Sequence, residues 1–116
     1  MSTRKSWAFR VQHILDEIRN IDIHLKGKTK DDLIENITIA RAVTKSIEII
    51  GEAANKIPPH IQSDYPEIPW RDIIGMRHKL IHDYDEVDYG VLWITAVQDL
   101  PDLAQKIGKI KLQDKS

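Results

Sequence analysis

The sequence predicts an all-α fold, an antiparallel up-and-down bundle of four to five helices, on three observations. Apolar residues near the N-terminus recur at alternating steps of four and three, which is the period of a helical seam and not of a strand. Pro58, Pro59, Pro66 and Pro69 fall together between two long seams, where they separate helices instead of breaking one. No stretch alternates apolar and polar residues between turn signals in the way a strand does, so none is assigned. Short connections between such helices make neighbours antiparallel. The 116 residues suffice for one core and not two, so residues 1–116 are read as a single domain.

Each element follows from its own residues. Trp7, Val11, Ile14, Ile18, Ile21 and Leu25 form the first seam, with Arg10, Asp16, Glu17 and Asn20 on the other face; Gly27 stops this helix just past its last turn. Thr29 caps the next, with Asp31 and Asp32 in its first turn, where negative charge suits the helix dipole. Leu33, Ile37, Ala40, Thr44, Ile47 and Ala54 trace its stripe, broadened by Ile34, Val43 and Ile50, and it is expected to run unbroken to about Lys56. Gly51 costs about 1 kcal/mol relative to alanine inside a helix, which implies a packing reason for it.

Residues 59–65 make a short helical turn or two, and Pro66-Glu67-Ile68-Pro69-Trp70 an extended elbow. Pro69 then opens a helix carrying Ile73, Ile74, Leu80 and Ile81, which the acidic residues 83–88 end. Asp88 caps the last helix, with Val91, Leu92, Ile94, Val97, Leu100, Leu103 and Ile107. Pro101 must kink or restart it. The lysine-rich residues 106–116 are read as a fraying tail.

Composition excludes several classes of function. Charged residues make up 30% and hydrophobic residues 41% of the chain, a balance that points to a soluble globular protein. The absence of cysteine excludes disulfides and thiolate metal sites and makes the cytoplasm the expected compartment. No apolar run approaches the roughly 20 residues of a membrane span, and residues 1–10 lack the core of a secretory signal. A net charge of −1 is wrong for a protein that coats nucleic acid, whose affinity comes from neutralised phosphates. Contact with nucleic acid is then local, as in an enzyme or a partner-regulated protein.

The densest chemistry lies in Arg77-His78-Lys79-Leu80-Ile81-His82-Asp83-Tyr84. Arg77 carries a permanent charge in a fork that fits phosphate. His82 gives or takes a proton near neutrality, and Tyr84 brings a phenolic hydroxyl. On one straight helix Arg77 and Tyr84 lie about 20° apart, but Arg77 and His82 about 140°. For both to meet one phosphate, either the helix unwinds near His82 or a second copy of the chain completes the pocket across a two-fold axis. His82 then serves as general base toward a ribose 2′-hydroxyl or as acid toward the leaving 5′-oxygen, and Arg77 stabilises charge on the phosphate oxygens. The purely architectural reading of the same residues pairs Arg77 with Asp83 or Asp85, lets His82 cap its own helix and packs Tyr84 on the bundle.

The segment from Gly75 to Tyr84, with its arginine, four residues, histidine, one residue and tyrosine, resembles the signature of HEPN-domain proteins of the HepT-like group. The similarity extends to Ile47-Glu48-Ile49-Ile50-Gly51-Glu52-Ala53-Ala54, to Pro66-Glu67-Ile68-Pro69-Trp70, and to Val87-Asp88 followed by Leu92-Trp93 and Asp99-Leu100-Pro101. These separated matches, in the same order, cover most of the chain. His78 departs from the group, which often has asparagine or another polar residue there. The resemblance implies an HEPN homodimer acting as a metal-independent endoribonuclease toxin, with Arg77 and His82 catalytic and no cofactor. It also implies an MNT-type nucleotidyltransferase antitoxin that transfers AMP to Tyr84, adding bulk and negative charge beside a phosphate pocket. His78, Lys79 and Asp83 become supporting residues toward an RNA substrate such as tRNA or mRNA. The alternative is a non-catalytic helical module that holds such a nucleotidyltransferase.

Other clusters are weaker. His78 and His82 are four apart, but no third metal ligand has suitable spacing. Asp83, Asp85, Glu86 and Asp88 resemble a calcium loop only superficially, because the glycine is misplaced and the terminal glutamate absent. Glu48 and Glu52 are expected to pair with Lys45 and Lys56, Arg41 and Lys45 to form a small basic step, and Trp7, Trp70 and Trp93 to pack in the core or a dimer interface.

Overall fold

The computed structural model describes residues 7–82 and 86–110, His82 in its backbone alone. Helix α1 (Trp7–Leu25) buries Val11, Ile14, Ile18, Ile21 and Leu25, the seam read from their spacing, and packs along α3 (Ile37–Asn55). Gly27 ends the first helix at φ 73°, a left-handed conformation that costs glycine no steric penalty.

The second helix is not continuous. Helix α2 (Lys30–Glu35) begins at Thr29, whose side chain accepts from the Asp32 amide at 3.2 Å while Asp32 accepts from the Thr29 amide at 2.8 Å. This reciprocal capping box satisfies two donors that a helix start leaves unpaired. Asn36, in extended conformation, then ends α2 and starts α3, its side chain accepting from the Ile39 amide at 3.1 Å. Asparagine competes for backbone hydrogen bonds and so favours such a cap over a helix interior. The break changes the phase of the apolar stripe. Leu33 and Ala40 stay buried, while Ile34 and Ile37 are exposed.

Helix α4 (Pro59–Asp64) is the expected short turn. The elbow after it is held by the Trp70 indole, which donates to the carbonyls of Gln62 and Tyr65 at 3.1 Å each. The helix expected from Pro69 through Ile81 is two pieces, α5 (Trp70–Ile74) and α6 (Met76–Leu80), joined at Gly75, and Pro69 caps the first instead of entering it. The chain is extended at Ile81, where a short antiparallel ladder pairs β1 (Ile81–His82) with β2 (Glu86–Val87), Ile81 opposite Val87 and His82 opposite Glu86. The sequence reading assigned no strand, and two residues are too few for an alternation to show.

Asp88 caps α7 (Tyr89–Ile94), accepting from the Val91 amide at 3.1 Å. A π-helical turn, Thr95–Asp99, leads into α8 (Leu100–Ile107), with Pro101 in its first turn. The expected kink at Pro101 is this wider turn, which relieves the clash of the pyrrolidine ring with the preceding carbonyls. It also re-phases the stripe, so that Leu92, Leu100, Leu103 and Ile107 are buried but Ile94 and Val97 face outward. Ile110 is buried as well, so the packed chain extends past the point where fraying was expected, and residues 111–116 lie outside the described ones. The result is the expected all-α bundle with one short ladder. Trp70 is buried in it, and Trp7 and Trp93 pack on its edge.

Candidate active site

Helix α3 carries a glycine where another backbone must come close. A Cβ on Gly51 would stand 3.2 Å from the Ile73 carbonyl oxygen and 3.3 Å from that of Ile74, so the residue accounts for the contact between α3 and α5. This is the packing reason its position implied. The contact sets α6, which follows directly, beside the α3 turn that precedes Gly51. There Arg77 meets Glu48, its Nε–H donating to Oε2 at 2.8 Å. The other carboxylate oxygen of Glu48 faces Lys45 Nζ at 3.8 Å. The Lys45 pairing was expected from spacing; among the described residues no ion pair joins Lys56 to Glu52.

Glu48 is the functional candidate that sequence reasoning missed. The sequence reading gave it only a pairing with Lys45 and a place in the segment from Ile47 to Ala54. The usable signal was its place one turn before Gly51, on the turn facing whatever helix approaches that glycine. The Arg77 side chain is 53% exposed and that of Glu48 28%, so the pair adds at most about 1 kcal/mol to stability. Its effect is geometric: one nitrogen of the guanidinium is fixed while the group stays open to solvent.

Two clefts share this pair. The smaller, of about 250 Å³, is lined by Glu48, Glu52, Asn55, Ile74, Arg77 and His78. The larger, of about 660 Å³, lies between α3 and the ladder and is lined in part by Arg41, Lys45, Glu48, Arg77, Val87 and Tyr89. That volume falls in the usual range for small-molecule sites.

The sequence candidates are distributed around these clefts. Arg77 lines both and His78 the smaller one. Lys79, two residues on and so about 200° around the helix, lines clefts toward Thr95 and Asp99 that do not include Arg77. It is not brought to the site. Helix α6 ends at Leu80, and the His82 backbone is extended. The straight-helix angles relating Arg77 to His82 and Tyr84 therefore do not apply, and His78 and His82 share no helix face. The helix thus ends before His82, as the first of the two routes requires, while the second calls for another copy of the chain. The side chain of His82, together with Asp83, Tyr84 and the pairing of Arg77 with Asp83 or Asp85, lies outside the described residues. Among the described residues no group of three histidines or carboxylates is placed to hold a metal, and no helix is long and apolar enough to cross a membrane.

Comparison with known proteins bears on what this arrangement is for. The family model described as Ribonuclease HepT-like matches residues 14–110, from α1 through Ile110 with every site residue between. A protein of Thermococcus cleftensis named "Probable ribonuclease HepT" is 49% identical over 108 residues, which cover 93% of this chain and 98% of that protein. "Putative RNase MJ1216" of Methanocaldococcus jannaschii is 38% identical over 106 residues, 91% of this chain and 85% of its own length. "Putative RNase TTE0752" of Caldanaerobacter subterraneus is 34% identical over 105 residues, 90% of this chain and 94% of its own. No solved structure matches the chain. With a family match over nearly the whole bundle and relatives of this similarity along most of their length, the chain belongs to the ribonuclease HepT-like family of HEPN domains.

Proposed function

We propose that the chain is a metal-independent endoribonuclease that works as a homodimer and serves as the toxin of a toxin–antitoxin pair. The observation that carries this reading is Arg77, half-exposed, tied to Glu48 at the junction of two clefts, in a chain whose relatives are named as ribonucleases. A guanidinium so held presents fixed positive charge where charge develops on a phosphate in the transition state, with little reorganisation left to make.

His82 supplies the proton chemistry. Its imidazole takes the proton of a ribose 2′-hydroxyl, whose oxygen attacks the adjacent phosphorus. The bond from phosphorus to the 5′-oxygen breaks, the leaving oxygen takes a proton from water while the His82 imidazolium returns its own to solvent, and the products are a 2′,3′-cyclic phosphate and a 5′-hydroxyl. In a two-fold dimer the arginine of one subunit and the histidine of the other converge on one linkage. An MNT-type nucleotidyltransferase silences the enzyme by transferring AMP from ATP to the Tyr84 hydroxyl with release of pyrophosphate, and the added charge repels the substrate phosphate.

Incubating the purified protein with total RNA, beside Arg77→Ala and His82→Ala, tests the chemistry. Cyclic-phosphate ends that both substitutions abolish are expected. Equal products from all three proteins identify a contaminant, and intact RNA throughout leaves a helical module that holds its partner without cutting. Mass spectrometry after co-expression with the nucleotidyltransferase is expected to find AMP on Tyr84; AMP on another residue refutes that assignment.

A further inference from the structure

We propose that the groove between α3 and the ladder holds the single-stranded ribonucleotides that flank the scissile linkage, a reading that rests on the ribonuclease function above for its choice of RNA. Three cations line it: Arg41 and Lys45 on α3, and Arg77 at its end. Two carboxylates, Glu48 and Glu86, line it too, so among the described residues its lining carries three positive charges against two negative ones, in a chain whose total is −1. Glu48 is already engaged by Lys45 and Arg77. Arg41 has no ion-pair partner among the described residues and is exposed.

The spacing suits a polynucleotide backbone. Arg41 and Lys45 are one turn apart on the same face of α3, about 6 Å along its axis, the scale of one nucleotide step. Arg77 continues that track to the site through the Glu48 bridge. The rest of the lining is mostly apolar, with Ile37, Val87 and Tyr89 in it beside Thr44. Ile37 is 60% exposed, an unusual place for a large aliphatic side chain at the mouth of a charged groove. A cationic track beside an aromatic ring is how proteins hold unpaired strands, with phosphates on the cations and bases against the ring. A duplex keeps its bases stacked inside and gains nothing from such a wall. The occupant is therefore single-stranded, and the groove favours linkages in loops or unpaired segments.

Fluorescence anisotropy with a labelled 2′-O-methyl oligoribonucleotide of about ten nucleotides, a size suited to such sites, measures binding without cleavage, because the attacking hydroxyl is blocked. The doubly substituted Arg41→Gln/Lys45→Gln protein is expected to bind about tenfold more weakly near physiological salt, with a log–log salt slope less steep by about 1.4. Tyr89→Leu is expected to lose at least about fivefold in affinity while Tyr89→Phe keeps it, since stacking needs the ring and not the hydroxyl. Unchanged affinity and salt slope in the double variant overturn the proposal. So does a shift of the variants from dimer to monomer in sedimentation with oligonucleotide binding intact, which makes the groove a seat for a second copy of the chain. Cleavage of unmodified RNA separates the two readings. If the double variant cuts and binds as the unsubstituted protein does, the groove assignment falls and the ribonuclease stands. If binding depends on the groove but no protein cuts, the ribonuclease reading falls and the groove stands.

Discussion

Glu48 gives its two carboxylate oxygens to different cations, Arg77 at 2.8 Å and Lys45 at 3.8 Å, and so joins the catalytic candidate to the basic step on α3. Exposed pairs of this kind add little to folding, but misplacing a group that meets the reacting phosphate is costly to rate. Glu48→Ala is therefore expected to change unfolding free energy by less than about 1 kcal/mol and to lower kcat by about tenfold to a hundredfold with KM nearly unchanged. Urea titration and steady-state kinetics on the same protein check both halves, and an unaltered kcat removes Glu48 from the positioning role. Gly51 gives the complementary case. Gly51→Val puts branched atoms against the carbonyls of Ile73 and Ile74 and is expected to destabilise the fold by about 1–3 kcal/mol, as overpacking does. Denaturation midpoints measure it.

At the scale of elements, the helix breaks are what place the site, and each has a local cause. Asn36 separates α2 from α3 by accepting from the Ile39 amide; Asn36→Ala is expected to cost about 1 kcal/mol, read from the urea midpoint. The first helix was legible in full because its seam is regular from Val11 to Leu25 and Gly27 marks its end. The second was legible in type and not in continuity, because Asn36 lies inside an apolar period that runs through it. The helix carrying Arg77 was read as too long. Gly75 and the extended Ile81 leave the spacing of Ile73, Ile74, Leu80 and Ile81 looking helical, so periodicity had no means of finding the stop. The π turn at Thr95–Asp99 was visible only as a proline that had to be accommodated. Among site residues, Arg77 stood out by its neighbours in the chain, whereas Glu48 is 29 positions away from it and becomes relevant only once the helices pack.

For the whole molecule, the proposed dimer makes a prediction that no single subunit can satisfy. If Arg77 of one subunit and His82 of the other form each site, mixing inactive Arg77→Ala and His82→Ala proteins restores one intact site per mixed dimer. Random exchange then recovers about a quarter of the unsubstituted activity. No recovery after verified subunit exchange places both groups in one chain, and a sedimentation profile of monomer alone at micromolar concentration removes the composite site. The contact at Gly51 has a consequence of its own. Because main chain lies against main chain there, the separation of Glu48 from Arg77 is inherited from the path of the backbone and owes little to the aliphatic groups around it. Randomising a neighbour such as Ile50 among isoleucine, leucine and valine is thus a route to retuning stability while the separation of Glu48 from Arg77 keeps its dimensions.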